Sequence, residues 1–352
     1  MPDAVKRVLF FERMQDPIWT EMLTAHNDVI IDKRSFSEPE AESYTALAQA
    51  HAYQVTSTRD EVPQSFQVHD DLLRRCPKLL VVCTYGAGYD TVDLEACTRA
   101  GVVAVNQAGA NKEAVAEHAL SMMIALYKRI GEQDRVMRRT HDFTRAGLMG
   151  RNIQGKTLGI IGLGHIGTRM AELCGKLFGM PVLAYDPYIS DEQFHERGGR
   201  KVSLQWLLRE SDIVSIHCPL SHETRGMLGA REFEMMKQDS ILIATSRGGI
   251  HDEAALDAAL ESGHLAGAGL DVWEREPPPL DHPLLARDNV IASPHTAGVT
   301  RESRRETARF AAEQILMVFR GQRPPRLLNP EVWPRFAERY EAILGGAVNA
   351  AD

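Results

Sequence analysis

The chain has 352 residues, and at about 150 residues per domain this length predicts roughly two domains. Hydrophobic residues make up 44% and charged residues 25%, which is close to the globular average and excludes a disordered chain or a fibrous repeat. The 40 basic and 48 acidic side chains leave a net charge of −8. This balance argues against a dedicated nucleic-acid surface, because such a surface needs a basic patch.

The composition also bears on the compartment. No apolar run approaches the roughly 18 to 20 residues of a membrane span, and charges within the first seven residues disfavour a signal peptide. The cysteines are odd in number and include no Cys-x-x-Cys, so we expect reduced, mostly buried thiols in a cytoplasmic protein. No pair of His, Asp or Glu shows metal-ligand spacing, so no catalytic metal is expected.

Short apolar runs alternate with helix-like periodic segments, a pattern typical of βαβ units around a parallel sheet. A first series of strands is predicted at residues 7–11, 52–57, 79–84 and 102–106. A helix is predicted over 114–139, apolar at its start and basic at its end. A polar link marked by glycines follows at 140–155.

A second, denser series of predicted strands consists almost entirely of Ile, Leu, Val and Ala, as expected for strands covered by helices on both faces. Its members are residues 157–162, 182–186, 213–218, 241–246, 266–272 and 290–293. Another long helix is predicted at about 301–320. We therefore predict a nucleotide-binding domain at 114–300 and a second domain formed by 1–113 and 301–352. The two long helices would make the crossings between them.

The strongest local motif is a glycine-rich turn between the strand at 157–162 and a helix. Gly162 makes the tight turn, Gly164 lets the backbone approach a pyrophosphate, and Gly167 allows close packing of helix on strand. The helix N-terminus, with His165 and Ile166 in its first turn, offers N–H groups to phosphates. The motif predicts a dinucleotide site.

Asp186 lies nineteen residues after Gly167, at the end of the next predicted strand. A carboxylate at this point accepts hydrogen bonds from a ribose diol. Because no Arg or Lys stands beside Asp186 to bind a 2′-phosphate, the sequence favours NAD over NADP. The alternative interpretation is a strand-end aspartate that caps a turn.

Three polar residues follow consecutive strands of the second series. Arg247 could bind a substrate carboxylate through two parallel hydrogen bonds from its guanidinium. His295 could transfer a proton, and the negative charge of Glu276 could orient the imidazole and favour its protonated form. The carboxyl ends of parallel strands meet at one edge of the sheet, so we expect these residues to converge on the cofactor. Taken singly, the Arg could be a surface ion pair and the His a hydrogen-bonded filler.

Two other histidines compete weakly with His295. His118 lies in the helix predicted between the domains, and His217 ends a strand and is interpreted as structural or supporting. No Gly-x-Ser-x-Gly elbow is present, which excludes the hydrolases that use it.

At these residues the chain resembles the D-isomer-specific 2-hydroxyacid dehydrogenase family, which includes phosphoglycerate dehydrogenases and glyoxylate/hydroxypyruvate reductases. The resemblance rests on the segments around Arg247, Glu276 and His295, with 85–93 (YGAGYDTVD), 115–118 (VAEH), 155–167 (GKTLGIIGLGHIG), 217–220 (HCPL) and Thr224. It implies an α/β fold of two doubly wound parallel-sheet domains, with a Rossmann NAD-binding domain inserted into a flavodoxin-like substrate domain. Separately from the resemblance, the apolar stretch at 119–126 would suit a dimer interface, so a homodimer is expected.

The resemblance assigns roles residue by residue. Arg247 would bind substrate, His295 would be the acid/base with Glu276 as its partner, and the amides of Ala87 and Gly88 would hold the substrate carboxylate. Asp271 would contact the nicotinamide amide. Further cofactor contacts are implied at Cys218, Pro219, Thr224, Thr245, His295 and Gly298, and Thr91 and Asn106 are lesser candidates for the lining of the crevice.

The expected reaction is NAD-dependent hydride transfer to a small 2-keto acid such as hydroxypyruvate or glyoxylate. Phosphoglycerate dehydrogenases carry a sequence similar to Val-Arg-Ser where this chain has Val55-Thr56-Ser57, so an Arg that would bind the substrate phosphate is missing. Arg59 or Lys112 could take its place. The alternative function is therefore 3-phosphoglycerate dehydrogenase. Two further interpretations are a NAD-sensing corepressor or scaffold and a phosphite-oxidising enzyme. Formate dehydrogenases carry an amide in place of Glu276, which favours hydroxy-acid chemistry here.

Overall fold

The structure is a computed structural model that describes residues 5–12, 14 and 16–348. The chain forms two compact units, the first comprising Met1–Asn111 with Thr300–Asp352 and the second Lys112–Val299. Within the described residues, no helix combines the length and the apolar character that crossing a bilayer requires.

The described residues form twelve strands and fourteen α-helices, besides three short 3-10 segments. The strands are β1 (Lys6–Phe11), β2 (Val29–Arg34), β3 (Ala52–Thr56), β4 (Val81–Tyr85), β5 (Val103–Val105), β6 (Leu158–Ile161), β7 (Val182–Tyr185), β8 (Arg200–Lys201), β9 (Ile213–Ile216), β10 (Ser240–Ala244), β11 (Leu265–Leu270) and β12 (Val290–Ala292). The helices are α1 (Ile18–Thr24), α2 (Glu40–Leu47), α3 (Asp70–Arg75), α4 (Leu94–Ala100), α5 (Lys112–Tyr127), α6 (Ile130–Arg139), α7 (His165–Phe178), α8 (Asp191–Glu196), α9 (Leu204–Glu210), α10 (Ala230–Met235), α11 (Glu253–Glu261), α12 (Pro283–Ala286), α13 (Arg301–Phe319) and α14 (Trp333–Leu344).

The first unit is a five-stranded parallel sheet in the order β2-β1-β3-β4-β5. This is the flavodoxin-like order, in which ligands bind beyond the carboxyl ends of the strands. Side chains of α1, α13 and α14, such as Trp19, Ala311 and Phe336, cover one apolar face. The opposite apolar cluster contains Leu47 and Leu72 from α2 and α3. Both faces are therefore buried, as expected for a doubly wound sheet.

The second unit is a seven-stranded parallel sheet in the order β12-β11-β10-β9-β6-β7-β8. Counted within the unit, this is the Rossmann order with one extra strand, and its strand order reverses between β6 and β9. Met122 of α5 and Met170 of α7 belong to one buried apolar cluster, and Leu207, Phe233 and Leu256 belong to the other. The α/β prediction with two parallel sheets is confirmed.

The structure differs from the sequence-based expectation at three places: two strands were not predicted, and one predicted helix is two helices. The edge strands β2 and β8 were not predicted, because β2 has only three apolar residues before its charged end and β8 spans two exposed basic residues. The helix expected over 114–139 is two helices, α5 and α6, interrupted at Arg129, whose φ is +55°. The Arg129 guanidinium binds both oxygens of Glu132, at 2.7 and 2.6 Å, and the carbonyl of Gly147 at 2.8 Å.

The apolar stretch at 119–126 lies largely in the core of the second unit and not on its surface. Ala119, Met122 and Met123 are buried in the cluster that also contains Met170 of α7. Exposed apolar side chains occur instead on α6 and in the loop after it: Ile130, Met137, Phe143 and Met149.

Candidate active site

The turn after β6 has the shape that a pyrophosphate-binding turn needs. Gly162 has φ +91°, and a β-carbon there would lie 2.6 Å from the Cys218 nitrogen. A β-carbon on Gly167 would come 2.2 Å from the Gly162 oxygen, whereas one on Gly164 would meet nothing within 4 Å. The N-cap residue of α7 is Gly164, which has no side chain to cap the helix, and in the first turn His165 is exposed and Ile166 is half-buried. These glycines therefore leave an open helix N-terminus that fits a phosphate group.

Asp186 directly follows β7 and is only partly buried. One carboxylate oxygen accepts from the Leu163 amide at 2.9 Å and the other from the Tyr188 amide at 3.0 Å. The aspartate therefore caps the turn, which was the alternative interpretation, and each oxygen keeps a second lone pair. Its predicted bond to a ribose remains a prediction.

The loop after β9 is held by its own side chains. The Thr224 hydroxyl donates to the Pro219 carbonyl at 2.7 Å and accepts from the Ser221 amide at 2.8 Å. Burial lowers the pKa of His217 to about 4, so its imidazole is neutral, and Nε2 lies 2.8 Å from the Ser215 hydroxyl. Burial also raises the pKa of the neighbouring Cys218 thiol to about 11.

Two hydroxyl groups at the carboxyl end of β10 lack partners. The Thr245 and Ser246 side-chain oxygens are buried and make no hydrogen bond within the part of the chain that the structure describes. The His217 Nδ1 atom, just after β9, is likewise buried and has no hydrogen-bond partner among the described residues. Unsatisfied polar atoms at strand ends need a ligand or water. They therefore fit a polar cofactor such as NAD, which the residues from Gly162 to Gly167 and Asp186 would hold.

The predicted catalytic residues converge. His295 Nδ1 lies 2.7 Å from Glu276 Oε2, and Glu276 Oε1 accepts from the Trp273 amide at 3.1 Å. Burial opposes ionisation of Glu276, but the hydrogen bond from His295 and the positive charges of His295 and Arg247 lower its pKa below the ordinary value. Arg247 is partly exposed in the loop after β10, and its Nη1 donates to the Ser246 carbonyl at 2.7 Å. The site thus combines a charged carboxylate, an imidazole and a guanidinium.

Asp271 has a role that the sequence analysis missed. The side chain is fully buried, and its Oδ1 accepts from the Ser293 hydroxyl at 2.6 Å and the Thr296 amide at 2.8 Å. Its Oδ2 accepts from the Ala297 amide at 2.9 Å, and its main-chain oxygen accepts from the His295 amide at 2.7 Å. Asp271 therefore anchors the loop that carries His295 and leads to Gly298. The clue available in the sequence was an acid at a strand end facing a Ser-Pro-His-Thr turn.

In the first unit, the predicted substrate residues follow β4. Gly86 has φ +133° and its carbonyl accepts from the Gln107 amide at 2.8 Å, while the Ala87 carbonyl accepts from the Asn106 side chain at 2.7 Å. Among the described residues, no acceptor pairs with the amides of Ala87 and Gly88. Such amides suit an anion. Thr91, another candidate, donates its hydroxyl to the Thr56 carbonyl at 2.6 Å.

Comparison with known proteins agrees with this geometry. The family model described as "D-isomer specific 2-hydroxyacid dehydrogenase, NAD binding domain" matches residues 120–297. A glyoxylate reductase of Aeropyrum pernix is 38% identical over 331 residues, covering 92% of this chain and 96% of that protein. A D-3-phosphoglycerate dehydrogenase of Archaeoglobus fulgidus is 40% identical over 255 residues, covering 72% of this chain and 48% of that protein.

Solved structures give the same result. The D-lactate dehydrogenase of Aquifex aeolicus, complexed with NAD and lactic acid, superimposes with a TM-score of 0.77 at 29% identity. The match covers 92% of this chain and 99% of that one. With the family model, the relatives and the convergent strand-end residues in agreement, the chain belongs to the D-isomer-specific 2-hydroxyacid dehydrogenase family and is a NAD-dependent oxidoreductase acting on CH–OH groups.

Proposed function

We propose that the protein reduces a small, unphosphorylated 2-keto acid of the glyoxylate or hydroxypyruvate type to the D-2-hydroxy acid. The observation that carries this proposal is the 2.7 Å contact between His295 and Glu276 beside the charge of Arg247. The relatives named glyoxylate reductase, at 38% and 40% identity, support the substrate class.

Each side chain has a separate task in this reaction. Bound NADH supplies the hydride. Arg247 binds the substrate carboxylate and polarises the keto group, because a planar guanidinium can donate two parallel hydrogen bonds. His295 holds Glu276 with Nδ1, which leaves Nε2 to donate a proton to the developing alkoxide. The charged Glu276 favours the protonated imidazole before that transfer.

The two units would bind different reactants. We propose that the second unit is the NAD-binding domain and that the first unit binds substrate through the Ala87 and Gly88 amides. These amides suit a carboxylate, and Thr56 at the end of the neighbouring strand β3 provides a hydroxyl in place of a cation. A charge-assisted hydrogen bond is roughly twice as strong as a neutral one, so Thr56 should favour an unphosphorylated substrate.

A 3-phosphoglycerate dehydrogenase is the second candidate. Arg59 lies in a short 3-10 segment soon after β3, where its Nε donates to the Asp90 carbonyl at 2.8 Å. This exposed guanidinium keeps further N–H donors that could bind a phosphate. The phosphoglycerate dehydrogenase relative at 40% identity supports testing this alternative.

A panel of 2-keto acids assayed by NADH absorbance tests the proposal. We expect glyoxylate or hydroxypyruvate to give a higher kcat/KM than 3-phosphohydroxypyruvate. A tenfold advantage for the phosphorylated substrate would identify the second candidate, and Arg59→Ala and Lys112→Ala would then show which cation binds the phosphate. No turnover of any 2-keto acid would refute both candidates.

We also propose a cytoplasmic homodimer. All five cysteines are free, as expected for a reducing compartment. The exposed apolar side chains of α6 and the loop after it, such as Met137 and Met149, would be covered by a second copy. Light scattering after size-exclusion chromatography should give twice the mass of 39.2 kDa, and a monomeric mass would contradict the assembly.

A further inference from the structure

His118 lies on α5, and its side chain contacts the anchor of the His295 loop. Its Nε2 atom is 2.9 Å from the Ser293 hydroxyl and 3.8 Å from Asp271 Oδ1. The Ser293 hydroxyl is in turn 2.6 Å from the same Asp271 oxygen. His118, Ser293 and Asp271 thus form one hydrogen-bonded chain within the second unit, which we call the anchor chain.

The donors in the anchor chain can be assigned. Asp271 accepts two main-chain amides, from Thr296 and Ala297, so its carboxylate acts as an acceptor and takes the single hydroxyl hydrogen of Ser293. The Ser293 oxygen must then accept a hydrogen from His118 Nε2. His118 therefore donates through Nε2 whether its imidazole is neutral or charged.

The anchor chain ends at the backbone of the catalytic loop. Asp271 accepts the His295 amide with its main-chain oxygen, and the Trp273 indole donates to the Ser293 carbonyl at 3.1 Å. His295 has φ +53°, a left-handed conformation that side-chain-bearing residues adopt only when their surroundings enforce it. The hydrogen bonds of Asp271 enforce it here, and they hold the imidazole against Glu276.

We propose that His118 is a positioning residue for the reaction. By donating to Ser293 it fixes the hydroxyl that completes the hydrogen bonds of Asp271, and Asp271 fixes the backbone from which His295 reaches Glu276. This inference rests on the proposed roles of His295 and Glu276. Loss of the donor frees the Ser293 hydroxyl to rotate away from Asp271, so that the loop relaxes and His295 loses its alignment with the carboxylate.

The test compares His118→Leu, which lacks a donor, with His118→Gln, whose amide keeps one. Ser121→Ala is the matched control, because the exposed Ser121 hydroxyl lies on the same helix and donates only to the His118 carbonyl, at 2.7 Å. Reduction of glyoxylate or hydroxypyruvate is followed with NADH from pH 5 to 9, giving kcat, KM and the alkaline limit of kcat/KM. The dissociation constant of NADH and the unfolding temperature are measured alongside.

We expect His118→Leu to lower kcat by about 10- to 100-fold, the range that a misplacement near 1 Å can cause. Its alkaline limit should move to lower pH, in the same direction as in Glu276→Gln, and combining the two substitutions should add no further shift. His118→Gln should recover kcat to within about threefold of the unsubstituted enzyme. Ser121→Ala should match that enzyme, and NADH affinity should stay within about twofold in every variant.

Two results would overturn the inference. One is unchanged kcat and pH dependence in His118→Leu. The other is an equal loss in the Leu and Gln variants, with a lower unfolding temperature and an unmoved alkaline limit, because that pattern indicates packing alone. Full activity in His295→Ala would instead refute the proposed site itself. An inactive His295→Ala beside a normal His118→Leu would refute only the role of His118.

Discussion

A β-carbon on Gly248 would lie 1.9 Å from the main-chain oxygen of Trp273. The loop that carries Arg247 therefore crosses the loop that carries Glu276 at a distance that no other residue type allows. This close backbone approach, which we call the interlock, fixes the spacing between the loop that carries the cation and the loop that carries the carboxylate. It also explains why glycine follows Arg247 directly.

Gly248→Ala should separate the two loops. Overpacking in a close-packed region costs roughly 1–3 kcal/mol, and here the clash is with backbone that cannot rotate away. We expect a lower unfolding midpoint together with a loss of kcat. Gly175→Ala is the control, because this site in the interior of α7 has open space and alanine there should stabilise by about 0.5–1 kcal/mol. A Gly248→Ala variant with unchanged stability and turnover would contradict the interlock.

His295→Ala should lose most of its turnover while binding NADH normally. General acid catalysis contributes about 10²–10⁴-fold, so kcat for keto-acid reduction should fall within that range. Fluorescence titration with NADH checks that the cofactor site survives. A kcat within threefold of the unsubstituted enzyme would remove His295 from the proton transfer.

Glu276→Gln should narrow the pH range of keto-acid reduction. The pKa of Glu276 is lowered, so its carboxylate is charged throughout the range in which an imidazole titrates and favours the protonated His295 that reduction needs. The substitution removes the negative charge 2.7 Å from Nδ1 that stabilises a proton on the imidazole. The alkaline limit of kcat/KM should therefore move toward acid, and an identical profile would show that Glu276 does not act on the proton donor.

Arg247→Lys keeps the positive charge and should still impair the enzyme. An ammonium cannot reproduce the planar pair of donors that a carboxylate accepts. We expect kcat/KM for the keto acid to fall by at least about tenfold, since losing a hydrogen bond to a charged group costs roughly 1.5–3 kcal/mol. Equal kcat/KM values for Arg and Lys would mean that only the charge at this position matters.

Asp186→Ser should raise the use of NADPH relative to NADH, because it removes a negative charge from the place expected to face a 2′-phosphate. Glu223 keeps a second carboxylate nearby, where it accepts from the Tyr188 hydroxyl. We therefore expect a relative gain of at least about tenfold without a complete reversal of preference. The ratio of kcat/KM for the two cofactors is the measurement, and an unchanged ratio would rule out the ribose role of Asp186.

The sequence was most informative where local rules apply. The glycine-rich turn, with Gly162 and Gly167, is a local solution to a tight turn and a close packing contact. Arg247 and His295 could be placed together because the carboxyl ends of parallel strands share one edge of the sheet. Both rules depend on spacing and strand direction, which are readable from the order of residues.

What the sequence did not reveal depends on distant contacts. The anchoring role of Asp271 requires amides that lie 25 and 26 residues further along the chain. The break at Arg129 depends partly on the Gly147 carbonyl, and the His118 contact spans 175 residues. Local sequence propensities do not predict such contacts, because the residues come together only when the chain folds.

The discontinuity of the first unit has a consequence for the order of events on the ribosome. The buried face of its sheet is completed by Ala308, Ala311 and Ile315 of α13, which pack with Val81 and Cys83 of β4. After β4 and before α13, the ribosome must make the 188 residues of the second unit. At about 5–20 residues per second this takes roughly 10 to 40 s, during which only α1 covers this face of the emerging sheet and the apolar surface that α13 and α14 later cover stays exposed. Translation speed and chaperones that shield apolar surfaces should therefore affect the yield of this protein through its first 111 residues.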